Sequence, residues 1–230
     1  MNDSTIILDS WQANAHNWIA TIDNNELESR RLVTNDAIIT KILSYDPRKV
    51  LDLGCGEGWL SRALRKHGIE VYGTDAIKEL VDAAIAKDGP FYSQYSYEEI
   101  TAGKHSFPFL FDAIVINFAL LDKETSAALI HYLPRILVGG GMVFIQTLHP
   151  LVIVSSEAYK SGWKDGNWAG MKRDFVQPYQ WYFRTTEDWV KLFTEARYNI
   201  KEIGEPVHPD TGKPLSIIFV LGALTSTNKI

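Results

Sequence analysis

The 230-residue chain has little of three things: cysteine, positive charge and long apolar runs. Its single cysteine, Cys55, excludes an internal disulfide and is typical of a reducing compartment, so we expect a cytoplasmic protein. The formal net charge of −5 argues against a nucleic-acid partner, because phosphate binding requires a basic surface. No apolar run approaches the roughly 18–20 residues of a membrane span, so we expect no membrane partner.

What the chain does have is a strand-to-helix junction with three closely spaced glycines. Residues 50–53 predict a short buried strand, and residues 59–66 predict the helix that follows it. Gly54, Gly56 and Gly58 lie between them, where glycine permits a sharp turn with positive φ and a close approach to bare backbone. The start of the helix adds free N–H groups and a partial positive charge. The junction therefore indicates a nucleotide-type binding site.

The spacing of the glycines separates two kinds of nucleotide site. In the dinucleotide fingerprint G-x-G-x-x-G the third glycine comes one position later than it does here, and an acid, Asp52, precedes the first glycine. The pattern D-x-G-x-G-x-G resembles the first motif of the class I S-adenosylmethionine-dependent methyltransferases. Asp75 ends the next predicted strand, 70–75, about twenty residues after the glycines, where a carboxylate binds ribose hydroxyls in either class. An NAD-dependent oxidoreductase is the alternative.

The rest of the chain alternates predicted strands and helices. These segments are strands at 91–95, 111–118 and 142–147 and helices at 78–86, 125–137 and 186–196. The run 139–141, three glycines, is expected to end the middle helix. No helix fits between the last strands, 201–207 and 215–224, so they should pair as an antiparallel hairpin. A terminal hairpin of this kind resembles the methyltransferase sheet.

We therefore predict an α/β fold with a Rossmann-like, seven-stranded, mostly parallel sheet, a C-terminal antiparallel hairpin and helices on both faces. One domain, 1–230, is divided into a helical cap, a cofactor-binding core, an aromatic-rich insertion, and a final helix with the hairpin. Their bounds are 1–45, 46–147, 148–185 and 186–230. The cap should cover the ligand edge and exclude water from methyl transfer. The aromatic rings of the insertion either enclose a substrate, with cation–π contacts among the options, or form a small core of their own.

The resemblance implies a set of cofactor-binding residues at the carboxyl edge of the sheet and in the cap. They are Arg31, Asp52, Gly54, Cys55, Gly56, Gly58, Asp75, Ala76, Ser96, Tyr97, Asn117 and Phe118. Asp52 and the glycine loop would face the methionine part of S-adenosylmethionine, Asp75 the ribose and Ala76 the adenine. Arg30 and Arg31 can each pair with the cofactor carboxylate, and we favour Arg31 slightly.

Adenine recognition departs from the family pattern. Ser96 and Tyr97 stand where many family members place an acid, and the first acids here are Glu98 and Glu99. Asn117 and Phe118 end the strand 111–118 and would line the floor beside the methionine chain.

The reaction expected from this resemblance is methyl transfer to a small-molecule acceptor by in-line SN2 displacement, driven mainly by positioning. His149, directly after a strand at the ligand edge, is the candidate base. The candidate substrate-binding residues are Trp18, Trp168, Trp181, Tyr182 and His208. We expect no metal, because the strand ends offer a poor set of hard oxygen ligands. A non-catalytic cofactor-binding module is the remaining alternative, and the sequence does not indicate an oligomeric state.

Overall fold

The computed structural model describes residues 3–151 and 158–224. The strands are β1 Lys49–Leu53, β2 Glu70–Asp75, β3 Phe91–Gln94, β4 Phe111–Asn117, β5 Leu137–Leu148, β6 Gly162–Asp165, β7 Gln180–Phe183, β8 Tyr198–Gly204 and β9 Ser216–Ala223. The parts of the predicted cap, insertion and final segment at 1–2, 152–157 and 225–230 lie outside the described residues.

The helices alternate with these strands along the first half of the chain. They are α1 Asp3–Asp23, α2 Asn35–Leu43, α3 Trp59–Arg65, α4 Lys78–Ala86, α5 Tyr97–Thr101, α6 Glu124–Tyr132 and α7 Thr186–Glu195, with a π-helical turn Arg30–Thr34 and a 3-10 turn Leu133–Arg135. Ser96 and Thr185 cap helix starts with their side chains: Ser96 forms a capping box with Glu99, and Thr185 accepts the N–H of Asp188. No helix within the described ranges combines the length and apolar character that a membrane span needs.

Seven strands form one sheet in the order β3-β2-β1-β4-β5-β9-β8. The first five strands pair in parallel, whereas β9 runs antiparallel to both β5 and β8. The order reverses at β1, so the loops after β1 and β4 diverge and leave a crevice at the carboxyl edge. The predicted Rossmann-like sheet with a terminal antiparallel hairpin is confirmed.

Alternate residues of the central strands enter two separate cores. Leu51 and Leu53 of β1 pack with α6 and α7 on one face, and Val50 packs with α2 and α3 on the other. Because both faces are covered, these strands read as nearly continuous apolar runs in the sequence. This burial on both sides fixes where each strand ends and so where the crevice lies.

The predicted cap contains two functionally different parts. Helix α1 packs on α4 through Ala15 and lies over the carboxyl edge. Helix α2 instead buries Ile38 and Ile42 in the core on the α3 face of the sheet. The expectation that all helices of 1–45 cover the ligand edge is therefore wrong for α2.

The region between α6 and β5 also differs from the sequence expectation. Helix α6 ends at Tyr132, because Pro134 lacks an N–H group and cannot continue it. Strand β5 already begins at Leu137, and the glycines of 139–141 lie inside it, not at a helix end. Leu137 pairs with Phe111, and Met142 pairs with Ala113. Residues 138–141 therefore form a bulge opposite the single residue Asp112.

Residues 148–185 contribute a two-stranded antiparallel hairpin, β6–β7, that the sequence pattern did not reveal. The backbone N–H of Tyr182 donates to the carbonyl of Leu121 at 2.7 Å, which fastens β7 beside the loop after β4. This contact brings the hairpin to the same edge of the sheet as the glycine loop.

Candidate active site

A cavity of about 390 Å³ opens at the carboxyl edge of the sheet. Its floor consists of the segments that follow β1 to β4, at 54–57, 75–77, 95–98 and 117–122. Its roof consists of α1 and part of the insertion, mainly through aromatic side chains. The two halves of the chain therefore enclose one space.

The glycine loop after β1 forms a bare part of the floor. Gly54, Gly56 and Gly58 have φ values of +70°, +57° and +84°, which side chains rarely adopt. A Cβ atom on Gly54 would lie 2.4 Å from the Cβ of Ala119 and 2.9 Å from the hydroxyl of Tyr97. Both the turn and the close approach of the loop after β4 therefore require glycine at position 54.

Three backbone N–H groups of this loop are occupied by the protein itself. Those of Gly54 and Cys55 donate to the carbonyl of Thr74, at 2.8 and 3.0 Å. The N–H of Gly56 donates to Oδ2 of Asp75 at 2.9 Å. None of these three N–H groups is therefore free to bind a ligand. A dinucleotide phosphate depends on such donors, so the loop is poorly suited to one.

Asp75 lies in the cavity wall at the end of β2, where the sequence placed it. Its carboxylate accepts the N–H groups of Gly56 and Ile77, each at 2.9 Å, which fixes its orientation. A carboxylate has about four acceptor positions, so two remain for ligand hydroxyls. Burial raises the pKa of Asp75, and the backbone hydrogen bonds oppose that rise. Ala76 also reaches the wall.

Asp52 does not line the cavity, contrary to the prediction that it faces the cofactor. Its side chain is buried behind the glycine loop, where it accepts the hydroxyl of Ser61 on α3 at 2.6 Å. Burial raises its pKa to about 7. Gly58 also lies behind the wall, and a Cβ there would be 2.4 Å from the hydroxyl of Tyr92. Asp52 therefore ties α3 to the sheet, and the missing side chain of Gly58 leaves room for Tyr92.

The two adjacent arginines of the cap have different environments. Arg31, the slightly favoured candidate, is exposed, pairs with Glu28 at 3.8 Å and does not line the cavity. Arg30 does line it, and its guanidinium lies 4.6 Å from the ring centre of Trp59 and 5.7 Å from that of Trp18. The choice of Arg31 is therefore corrected to Arg30.

One nitrogen of Arg30 is buried without a partner. Its Nε donates to Oδ1 of Asn35 at 3.2 Å, but its Nη2 makes no hydrogen bond with any described residue. Burial lowers the pKa of Arg30 to about 10, whereas the charge of Glu57 raises it. An unsatisfied charged donor at a cavity wall is costly, and a ligand carboxylate would satisfy it.

The other predicted cofactor residues reach the wall: Cys55, Ser96, Tyr97, Asn117 and Phe118. Ser96 keeps its hydroxyl hydrogen free to donate, because its oxygen accepts the N–H of Glu99. Oδ1 of Asn117 is buried with no partner among the described residues. Phe118 has a φ of +55°, an uncommon value for a bulky residue and one that clusters at functional sites. Glu98 is the acid that reaches the wall at this strand end.

Four of the five predicted substrate residues lie in the roof: Trp18, Trp168, Trp181 and Tyr182. Trp168 also stacks on Phe175 at 4.6 Å and meets Trp11 edge-on at 5.4 Å. The insertion therefore forms both a cavity wall and a small aromatic core with α1, which joins the two interpretations left open by the sequence.

Neither candidate histidine lines the cavity. Nδ1 of His149 accepts the N–H of Leu151 at 3.1 Å, which places the ring proton on Nε2, 2.7 Å from Oε1 of Glu205. His208 is part of the β8–β9 connection, where its Nδ1 accepts the N–H of Asp210. The base role of His149 and the substrate role of His208 are therefore wrong: both side chains stabilise turns. No histidine or lysine of the described chain lines this cavity.

Besides Glu57 in the glycine loop, two charged residues of the cavity wall were missed: Asp122 after β4 and Arg184 before α7. Both are almost fully buried, with 7% and 6% of their surface exposed. The available signal was position, since Asp122 follows a predicted strand end and Arg184 directly precedes a helix cap. Within the described ranges, no three His, Cys, Asp or Glu side chains gather to hold a metal ion.

The sheet, the glycine loop and the acid at the end of β2 define a nucleotide-cofactor-binding α/β protein with a covered ligand site. Residues 27–200 match the family model described as a methyltransferase domain. An uncharacterized protein of Haemophilus influenzae is 25% identical in an alignment that covers 81% of each chain. The ubiquinone biosynthesis O-methyltransferase of Xylella fastidiosa is 31% identical over 113 residues, covering 48% of this chain and 46% of that enzyme.

The magnesium protoporphyrin IX methyltransferase of Synechocystis, solved with bound SAH, has a similar fold, with a TM-score of 0.64 and 17% identity. That similarity covers 96% of this chain and all of the other. The chain spans about half the length of the ubiquinone relative. The present chain, matched over residues 27–200, belongs to the methyltransferase-domain family. The predicted resemblance and enzyme class are confirmed.

Proposed function

We propose that this protein transfers a methyl group from S-adenosylmethionine to a small, ring-bearing acceptor held under the aromatic roof. The family match and the cavity at the switch point of the sheet support a methyltransferase. The observation that carries the cofactor assignment is the buried, unpartnered Nη2 of Arg30 in the cavity wall. The name of the ubiquinone biosynthesis relative supports a ring-bearing acceptor methylated on oxygen.

The residues present fit S-adenosylmethionine better than a dinucleotide. Arg30 would bind its carboxylate, Asp75 its ribose hydroxyls, and Oδ1 of Asn117 would accept from its ammonium group. The loop at 54–56 offers bare backbone without free N–H donors, which suits a positively charged sulfonium and not a diphosphate. When bound, S-adenosylmethionine supplies an electrophilic methyl group.

The chain contributes positioning and exclusion of water. The roof formed by α1 and the insertion closes over the floor, so an acceptor and the methyl carbon are held in a dry space. Since no described histidine or lysine lines this space, the rate does not depend on a base of either type. Alignment of the acceptor by the roof is the main contribution.

Calorimetric titration with S-adenosylmethionine tests the cofactor assignment. Arg30→Gln should weaken binding by about 1.5–3 kcal/mol, because it removes hydrogen bonds from a charged donor. The matched control is Arg31→Gln, one residue away and exposed, which should bind like the wild type. Equal affinities of the two variants, or tighter binding of NAD than of S-adenosylmethionine, would contradict the proposal.

A transfer assay tests the reaction itself. The purified protein is incubated with methyl-labelled S-adenosylmethionine and a panel of phenol, amine and carboxylate acceptors. We expect label in a phenol or carboxylate product. Tight cofactor binding with no labelled product from any acceptor would favour a non-catalytic binding module.

A further inference from the structure

We propose that Arg184 is the anchor of the acceptor and that the acceptor is a planar aromatic acid, bound through a carboxylate. The inference rests on the proposed methyl-transfer function and adds the chemical class of its substrate. Arg184 lies at the end of β7, in the cavity wall and directly before the cap of α7. Its position is separate from Arg30, the residue assigned to the cofactor.

Arg184 is a buried cation whose hydrogen bonds go to backbone carbonyls. Its Nη2 donates to the carbonyl of Lys123 at 2.6 Å, and both Nη atoms lie 3.4 Å from the carbonyl of Asp122. No carboxylate of the described chain lies within ion-pair distance of it. Only 6% of its surface is exposed, so solvent compensates its charge poorly.

The nearby acids are engaged elsewhere. The carboxylate of Asp122 accepts the N–H and the hydroxyl of Thr125 through Oδ1 and the hydroxyl of Ser4 through Oδ2. Asp188 accepts the hydroxyls of Ser161 and Thr185. Burial lowers the pKa of Arg184, and this effect exceeds the opposing rise caused by Tyr182, Asp122, Glu124 and Asp188.

A ligand carboxylate would supply the charge that this site lacks. A buried charge is strongly unfavourable unless it is paired and hydrogen-bonded, and a cavity wall is where an incoming anion can provide the pair. The planar guanidinium matches a carboxylate geometrically, which makes arginine better suited than lysine to bind one. The contribution of residue 184 to the affinity for an acid should therefore depend on the planar shape of the guanidinium as well as on its charge.

The surrounding rings indicate a flat body for the same ligand. The guanidinium lies 4.9 Å from the ring centres of both Tyr182 and Trp189, and all three residues line the cavity. Trp181 and the buried Phe183 add apolar surface on the same stretch of wall. Aromatic walls around one charged group favour a planar, apolar molecule with a single anionic end.

Titration calorimetry at saturating S-adenosylhomocysteine compares acids with uncharged isosteres. The probes are 2-naphthoate and trans-cinnamate, each paired with its carboxamide. In the wild type we expect at least one acid to bind at least tenfold more tightly than its amide. Arg184→Gln should remove this preference, and Arg184→Lys should retain only part of it.

Arg135→Gln is the matched control, because Arg135 also lies over a tyrosine ring but is exposed and outside the cavity. It should keep the full acid preference. The affinity for S-adenosylhomocysteine is measured in every variant and should be unchanged by Arg184→Gln. If the wild type does not bind S-adenosylhomocysteine, the proposed function is refuted. If it binds S-adenosylhomocysteine but shows no preference for the acids over their amides, only the role of Arg184 as anchor is refuted.

Three results would overturn the anchor: equal binding of acid and amide by the wild type, no detectable binding of both acids, or a full acid preference in Arg184→Gln. If Arg184→Gln does not fold, the wild-type comparison and Arg184→Lys decide the question. In that case, an undiminished acid preference in Arg184→Lys would show that the planar guanidinium is not recognised.

Discussion

Gly54 shows how one absent side chain shapes the floor of the site. Its backbone has positive φ, and its missing Cβ leaves room for Ala119 and Tyr97. Gly68 has a similar φ of +82°, but no atom lies within 4 Å of the position that a Cβ would occupy there. An alanine at position 68 would therefore incur only the cost of the backbone conformation, whereas an alanine at position 54 would also collide with its neighbours.

We expect Gly54→Ala to destabilise the protein more than Gly68→Ala does. The left-handed conformation should cost each variant about 1–2 kcal/mol, and overpacking should add about 1–3 kcal/mol at Gly54 alone. Urea denaturation measures both free energies of unfolding. Equal losses would mean that the loop after β4 moves aside at no cost.

Asp52 links the stability of the protein to pH. Burial raises its pKa to about 7 in the folded state, whereas an unfolded aspartate titrates near pH ~4. Between these values the folded state binds more protons, so the free energy of unfolding should fall as pH rises, by at most about 1.4 kcal/mol per unit. Asp52→Asn keeps an acceptor for Ser61 and should flatten this dependence between pH 5 and 7.5. Asp75, shifted in the same direction, leaves a residual slope. An unchanged slope in urea titrations at the two pH values would contradict this account.

Arg30 and Asp52 mark the limit of sequence reasoning at the residue scale. The motif located the glycine loop and Asp75, because their chemistry depends on spacing along the chain. It did not show that Asp52 points behind the loop, where Ser61 binds it. It also did not choose between Arg30 and Arg31, since the π-helical turn that begins at Arg30 rotates side chains differently from an α-helix.

At the scale of elements, buried strands were the most predictable part of the fold. Strand β2 has the predicted bounds, and β1 and β4 differ from them by one residue at one end. Their apolar runs leave a clear pattern because both faces are covered. Strands β6 and β7 were missed because each has only four residues, mostly half-buried, and therefore shows neither a continuous apolar run nor a clear alternation.

The contact between α1 and the insertion holds the roof in place. The buried side chain of Asn14 donates to the carbonyl of Val176 at 2.6 Å and accepts its N–H at 2.8 Å. Asn17 makes only one exposed bond of this kind, to the carbonyl of Asp174. The two asparagines on one helix therefore allow a buried clasp to be compared with a peripheral contact.

Asn14→Ala should loosen the roof, because it removes both side-chain hydrogen bonds to the backbone of Val176, each worth about 0.5–1.5 kcal/mol. Hydrogen exchange of residues 172–179 should quicken, and S-adenosylhomocysteine should dissociate faster. Asn17→Ala serves as the control and should change both rates little. If Asn14→Ala and Asn17→Ala exchange alike, α1 does not hold the insertion through Asn14.

At the scale of the whole molecule, one cavity is walled by residues from Ser4 to Leu215, so its shape exists only when the complete fold is assembled. A ligand of this cavity therefore binds the native state and not the unfolded chain. Binding of this kind stabilises a protein by mass action, by about 2.7 kcal/mol at a ligand concentration of one hundred times Kd.

A thermal-denaturation series tests this coupling directly. For a chain of this size, each kcal/mol raises Tm by about 2–4 °C, so S-adenosylhomocysteine at that concentration should raise Tm by about 5–11 °C. NAD at the same concentration should have little effect, because the N–H groups of Gly54, Cys55 and Gly56 are already bonded to Thr74 and Asp75 and cannot bind its diphosphate. In Arg30→Gln the same rise should require a concentration more than tenfold higher, since the weakened carboxylate contact lowers the affinity and not the number of sites. A comparable rise in Tm with NAD would contradict the choice of S-adenosylmethionine as cofactor. A concentration dependence of Tm for Arg30→Gln that coincides with that of the wild type would contradict the assignment of Arg30 to the cofactor carboxylate.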